Sequence, residues 1–378
     1  MTGEATSEAT SAGSTPVPAD VVRWRLHTQG LAGPGFASPI DAVEAFGAVQ
    51  AQDHAIALWS LVQRVPGTTV AEVQDLLDEG ALLRTHVLRP TWHYVIPADI
   101  RWMLALTAPR VHVQNGTYYR RHGFDDDVFE RAHAVIRDAV ADGAHRTRAE
   151  VAAHLAASGI EVSGMALEHL VMHAELEGVI CSGPMRGRQQ TYALLTDRAP
   201  AARELDPDAA LAELTRRYFV GHGPATAKDL RWWSSLTLAQ IDAGLELVGD
   251  ELHAAVIDGH TYLAGGPPPD LAAPDAPEVL LLQALDELVV GYAESRDAVD
   301  VAGLEAMHRD TPGLPSAIVL IDGQIAGRWR RKVRTNHLDV EVVAYRPLDD
   351  AEKAALQIEA ERYATAYGRT ATLDLSTR

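Results

Sequence analysis

Lysine is nearly missing from this chain of 378 residues, which has only Lys228, Lys332 and Lys353, and cysteine is scarcer still, with Cys181 alone. One thiol excludes an intramolecular disulfide, a cysteine-built zinc cluster and an iron–sulfur cluster held by several thiolates. Its setting, EGVICSGP, looks like a strand leaving a helix, where a buried structural thiol is expected. No run approaches the roughly 18 apolar residues that a membrane span needs. The first nineteen residues, MTGEATSEATSAGSTPVPA, contain neither a basic stretch nor an apolar one, so they read as a disordered tail rather than a signal peptide. A cytoplasmic location without membrane partners is expected. No Walker motif, GxSxG or convincing GxGxxG is present, and neither a metal nor a cofactor is expected. An excess of basic charge is also lacking. The formal net charge is −19, which argues against a polyanionic partner unless a cleft is locally basic.

What is present is a chain long enough for two or three modules, with a hydrophobic content of 47% that suits an ordinary soluble protein. Residues 21–31 have helical spacing, and Pro39 marks the first turn of a second helix. HAIALWSLVQRV and VAEVQDLLDEGAL continue as helices, the latter ending near Gly80. LLRTHVLRPTWHYVIP then alternates as two short strands around a turn at Arg89 to Thr91. Helices followed by a hairpin are the order of a winged-helix module. That order recurs after Asp125, with Thr147 and Glu150 forming a capping box, and again after residue 210, with Thr226 and Thr237 as helix caps. The expected fold is α+β, with three tandem winged-helix units at 20–110, 111–200 and 201–264. A proline- and alanine-rich linker loop at 265–278 would lead to a C-terminal β-rich domain at 279–378. There VLLLQALDELVVGY, SAIVLIDGQIAGRWRRKV and LDVEVVAYRPL read as strands, Asp322 and Gly323 as a hairpin turn, and Ala351 to Tyr367 as a closing helix.

Arginine gathers at the hairpins despite the acidic total. Arg84 and Arg89 flank the first, and Arg186 and Arg188 lie in the second. Arg216, Arg217, Lys228 and Arg231 lie in the third unit, and the run GRWRRKVR holds Arg328, Arg330, Arg331 and Lys332. Any one cluster could be a solvated face. Recurrence in wings points to nucleic acid, because wings approach a duplex and arginine binds phosphate bidentately.

The candidate chemistry lies in FGAVQAQDHAIALW. Gln50 and Gln52 are two residues apart, so on a helix they would point to nearly opposite sides. They can serve one site only if the backbone is extended or turning. Amides do not titrate, but two of them can orient a water or support a developing positive charge. Such mild catalysis suits an activated leaving group, and a purine alkylated at N7 is one. Polar residues at a helix end are the competing explanation for the pair. Asp53 is adjacent and could be a base, though it better suits a cap of the following helix, while His93 could contact the site or the DNA backbone or equally be a hydrogen-bonded histidine under the wing. His169 and His173 have i, i+4 spacing but no HExxH pattern, so an exposed helix face explains them better than a metal. No lysine lies near the glutamines in sequence, which favours hydrolysis over Schiff-base chemistry.

VQAQD, LRTHVLRPTWHYV, HGPATAKDLRWWSSL, LLQALDELVVGY and VLIDGQIAGRWRR together resemble, in order, the winged-helix DNA glycosylases of the AlkZ and YcaQ type. The resemblance covers nearly the whole chain after the tail. In that family the catalytic motif is glutamine, an aliphatic residue, then glutamine or aspartate, and Gln50, Ala51 and Gln52 match the glutamine form. The resemblance implies excision of N7-alkylguanine from double-stranded DNA, with Gln50 and Gln52 placing the attacking water. It also implies a C-shaped array around the duplex and a chain acting as a monomer. Membership of the glutamine subgroup further implies unhooking of interstrand crosslinks left by azinomycin-type bis-alkylators, a self-resistance activity. Two alternatives stay open at this level. A winged-helix transcriptional regulator would normally carry one such unit per subunit of a dimer. A drug-sequestering protein would want a deep apolar pocket.

Overall fold

Short polar segments with capping residues divide this chain into many brief elements. A computed structural model describes residues 18–270, 276–304 and 317–378. The tail expected over 1–19 lies outside them except for the start of helix α1 (Pro18–Thr28). Pro39 occupies the first turn of α2 (Pro39–Phe46), which Ser38 caps. A two-residue strand β1 (Val49–Gln50) follows, then α3 (His54–Arg64) and α4 (Val70–Glu79). α4 opens on a Thr69–Glu72 capping box and ends at Gly80, whose φ of 86° is the left-handed conformation that glycine accommodates. The hairpin of β2 (Leu83–His86) and β3 (Trp92–Val95) completes the block. β1 joins its edge, giving the sheet order β1-β3-β2.

The same succession of helix, short strand, two helices and hairpin occurs twice more. The second copy comprises α6 (Asp126–Ala139), β4 (Arg146–Thr147), α7 (Arg148–Ala157), α8 (Gly164–Leu176), β5 (Ile180–Arg186) and β6 (Gln189–Leu194), with sheet order β4-β6-β5. It is joined to the first by α5 (Ile100–His122) and followed by the short α9 (Leu195–Arg198). The boundary expected between residues 110 and 111 falls inside α5, a helix of 23 residues that accommodates Pro109 in its interior instead of ending there. The third copy has α10 (Pro207–His222), α11 (Ala227–Ser234), α12 (Leu238–Val248), β7 (His253–Ile257) and β8 (His260–Ala264), with Ala225 bridging Leu263 where the short strand would be.

Part of the expected linker, 271–275, lies outside the described residues. Beyond it the order is β9 (Val279–Leu282), α13 (Glu287–Val290), β10 (Ile318–Ile321), β11 (Gln324–Val333), β12 (His337–Ala344), α14 (Asp350–Ala366) and β13 (Thr370–Thr377). VLLLQALDELVVGY is therefore a strand only over its first four residues. Asp286 turns the chain into α13 by accepting a hydrogen bond from the Leu288 amide. The Asp322–Gly323 turn has φ of 50° and 77°, the two positive values of a tight hairpin. The five strands run in the order β13-β12-β11-β10-β9, with β13 parallel to β12 and the other pairs antiparallel. This α+β fold has its largest core where α2, α3 and α4 meet the C-terminal sheet and α14, around Phe46, Trp59, Leu281, Val340 and Tyr363. The first block and the last thus bury apolar surface against each other, although they are far apart in sequence.

Candidate active site

Gln50 ends the edge strand β1, opposite His93 on β3. The ladder continues one residue further, with the Ala51 amide donating to the Trp92 carbonyl at 2.8 Å. Extended backbone puts alternate residues on one face, so Ala51 turns into the core, fully buried, between the two glutamines. Gln50 is 3% exposed and Gln52 half-buried. The Gln50 Oε1 accepts from the Gln52 amide at 2.6 Å, and the Gln52 Oε1 accepts from the Trp92 amide at 3.2 Å. These bonds orient both side-chain amides. Each carbonyl oxygen keeps a second lone pair, and neither Nε2 has a partner among the described residues. Asp53 caps α3, its Oδ1 accepting from the Ala55 amide at 3.1 Å.

As an edge residue, Gln50 has an amide that points away from β3, and a carboxylate from 237 positions further along the chain receives it. Glu287 Oε1 accepts that N–H at 2.5 Å, while its Oε2 takes the His222 Nε2 at 3.1 Å and the Trp233 Nε1 at 3.2 Å. Glu287 is 1% exposed. Burial works to raise its pKa, but the His222 hydrogen bond and the positive groups around it outweigh burial and hold the carboxyl below its ordinary value. A fixed negative charge therefore lies directly behind Gln50. Neither Glu287 nor its two partners stood out as site residues in the sequence. The available signal was a pair of adjacent carboxyls in an otherwise apolar run, since buried charges require partners.

The expected DNA-binding arginines separate into different roles. Arg84 is 6% exposed and faces inward: its Nε donates to the Ala51 carbonyl at 2.8 Å, its Nη2 to the Gln52 carbonyl at 3.0 Å, and its Nη1 to Gln190. It also lies 4.5 Å from the Trp92 ring centroid. It holds the glutamine segment in place and is not at the surface. Arg186 is engaged by Glu150 Oε1 and the His145 carbonyl, both at 2.7 Å, whereas the exposed Arg188 has no partner among the described residues. The run in β11 is engaged within the protein. Glu341 pairs with both Arg330 and Lys332, and Arg331 donates to the Tyr363 hydroxyl at 2.6 Å and the Ala55 carbonyl at 2.9 Å. Arg328, half-buried in the same strand, has interactions of its own.

His93 is fully buried, with Nδ1 donating to the Thr91 carbonyl at 3.0 Å and Nε2 left as an unpartnered acceptor. Burial first, and the Arg89 charge second, push its pKa down to about 3, so it is neutral near pH 7 and cannot act as a cation toward phosphate. His169 and His173 do not share a site. His169 Nδ1 is taken by the Met165 carbonyl, while His173 meets His133 at 3.1 Å. A different trio, His112, His173 and Glu177, brings its ligand atoms within 4.8 Å of one another and could hold a metal ion. Cys181 is buried, which pushes its thiol up to about 12 and leaves it unreactive. Among the described residues no helix is long and apolar enough to cross a membrane.

The fold thus repeats a unit of helices and a hairpin three times, with a pair of oriented amides at the end of the first short strand. The chain belongs to the AlkZ-like DNA glycosylase family, which matches residues 43–366, and is a hydrolase of N-glycosyl bonds acting on DNA. Among solved structures it is similar to the Streptomyces sahachiroi DNA glycosylase AlkZ, with a TM-score of 0.79 and 22% identity, over 97% of this chain and 100% of that one. No curated protein sequence matches.

Proposed function

We propose that this glycosylase is monofunctional and hydrolyses the N-glycosidic bond of N7-alkylguanine in double-stranded DNA. Its range would include guanines crosslinked by azinomycin-type bis-alkylators, making it a self-resistance repair enzyme. In this reading one chain acts alone, and its three winged-helix units and C-terminal sheet form a C-shaped wrap around the lesion. The observation that carries the reading is the oriented amide pair. Gln50 and Gln52 are fixed through their carbonyl oxygens yet retain hydrogen-bonding capacity for a water. That water adds to C1′ as the bond from C1′ to N9 breaks, and the proton it sheds on becoming the C1′ hydroxyl passes to bulk water. The bond's electron pair cancels the positive charge on the alkylated ring, so the base leaves neutral. Little acid–base help is needed, consistent with a site whose cross-strand imidazole, His93, does not titrate near pH 7. Glu287, ionised behind Gln50, adds negative potential where the sugar becomes oxocarbenium-like.

The test is release of free base from a duplex with a single N7-methylguanine, and then from a crosslinked duplex. Gln50→Ala and Gln52→Ala are each expected to slow release by about a hundredfold or more while leaving DNA affinity nearly intact. Parallel loss of binding would contradict the assignment. Wild-type binding without release from either substrate would leave a DNA-binding protein without this chemistry.

A further inference from the structure

We infer that the cleft between the β2–β3 turn and α11 is a docking site for a phosphodiester of the DNA strand beside the nucleotide being excised, with Arg89 as its central ligand. The inference rests on the glycosylase reading above. Arg89 is the most unusual cation in the protein. Its side chain makes no hydrogen bond or ion pair among the described residues, and its Nε and Nη2 are buried without partners. Other arginines with an orphaned nitrogen differ in this respect: Arg64, Arg198 and Arg369 each donate through the rest of the guanidinium. Arg89 is half-buried, and burying the N–H groups of Nε and Nη2 without acceptors is costly, so its retention points to an anion that arrives from outside.

The surroundings indicate which anion. Arg89 opens onto a cleft of about 870 Å³, to whose lining Arg110, Lys228 and Arg231 also contribute. The one carboxylate there, Glu294, is already paired with Lys228, and the exposed Arg231 has no partner among the described residues. In a chain of net charge −19, this local positive excess favours a polyanion. Trp232, 46% exposed, lines the same cleft, with Arg89 at 5.8 Å and Arg296 at 5.4 Å from its ring centroid. Its Nε1 donates to the Val290 carbonyl at 3.0 Å, which fixes the ring as a platform on which an unpaired base can stack. Phosphate-binding arginines beside a stacking tryptophan match a nucleotide better than an acidic peptide. The turn that begins at Arg89 leads to His93, the cross-strand neighbour of Gln50, and carries a further unpartnered hydroxyl at Thr91. An anion on Arg89 therefore lies at one end of the strand that backs the glutamines.

The experiment measures the affinity of the full chain for a duplex with a tetrahydrofuran abasic analogue across a series of salt concentrations, alongside thermal melting of the free protein. Arg89→Met is expected to weaken binding about ten- to a hundredfold and to reduce the salt slope by about one, while the melting temperature stays equal or rises. Trp232→Ala is expected to weaken binding with the slope unchanged. Arg89→Met with wild-type affinity and slope would overturn the site, and a lowered melting temperature would assign Arg89 a structural role instead. Base release by the wild-type protein, assayed separately, reports on the glycosylase reading independently of these variants.

Discussion

Arg84 shows how a residue type can be noticed for one reason and matter for another. As an arginine beside a wing it suggests a phosphate ligand, but its fork is used on the carbonyls of Ala51 and Gln52. Lysine would keep the charge and lose the fork, because an ammonium is a point donor that cannot hold two carbonyls and the Gln190 amide in one plane. Arg84→Lys is therefore expected to lower single-turnover base release about tenfold to a hundredfold, with affinity for product DNA and its salt slope unchanged. A change in slope would return Arg84 to the phosphate interface. Asp53 was legible as a helix cap because capping is local chemistry. Glu287 was not, since it meets Gln50 across 237 positions.

At the level of elements, the capping signals gave good boundaries. The box expected at Thr147 and the caps expected at Thr226 and Thr237 all form, because each needs only residues three apart, and Thr69 closes a further box with Glu72. The two-residue strands β1 and β4 were invisible, since a strand that short exists only through the hairpin it joins. The basic run in β11 was legible as charge but not as contact. Arg331 binds the Ala55 carbonyl, and Tyr367 donates to the same oxygen at 3.2 Å, so the C-terminal sheet and α14 brace the first turn of α3 just beyond the glutamines. Arg331→Ala is expected to cost about 1–3 kcal/mol, seen as a lower urea midpoint at an unchanged m-value, with the DNA salt slope unaffected. A reduced slope with unaltered stability would instead make β11 a phosphate ligand.

For the whole molecule, the decisive contact is the ion pair of Arg64 with Asp286. It is bidentate at 2.7 and 2.9 Å, with both side chains fully buried. It ties α3 to the segment that delivers Glu287. Removing one partner strands a charge in the core, so Asp286→Ala is expected to cost about 3–5 kcal/mol, with circular dichroism melting showing a large downward shift or no folded state. An unshifted melt would mean that water reaches Arg64 and that the two ends of the chain are held without help from this pair. The sequence by itself determined the helices and hairpins of a unit that recurs three times and the location of the amide pair, because periodicity, caps and turn residues act over a few positions. Tertiary structure alone decided that Ala51 turns inward, that Arg84 is a brace, that the Arg89 side chain has no hydrogen-bond partner among the described residues and that Glu287 stands behind Gln50. Each of those depends on which distant surfaces meet, and local propensity carries no information about that.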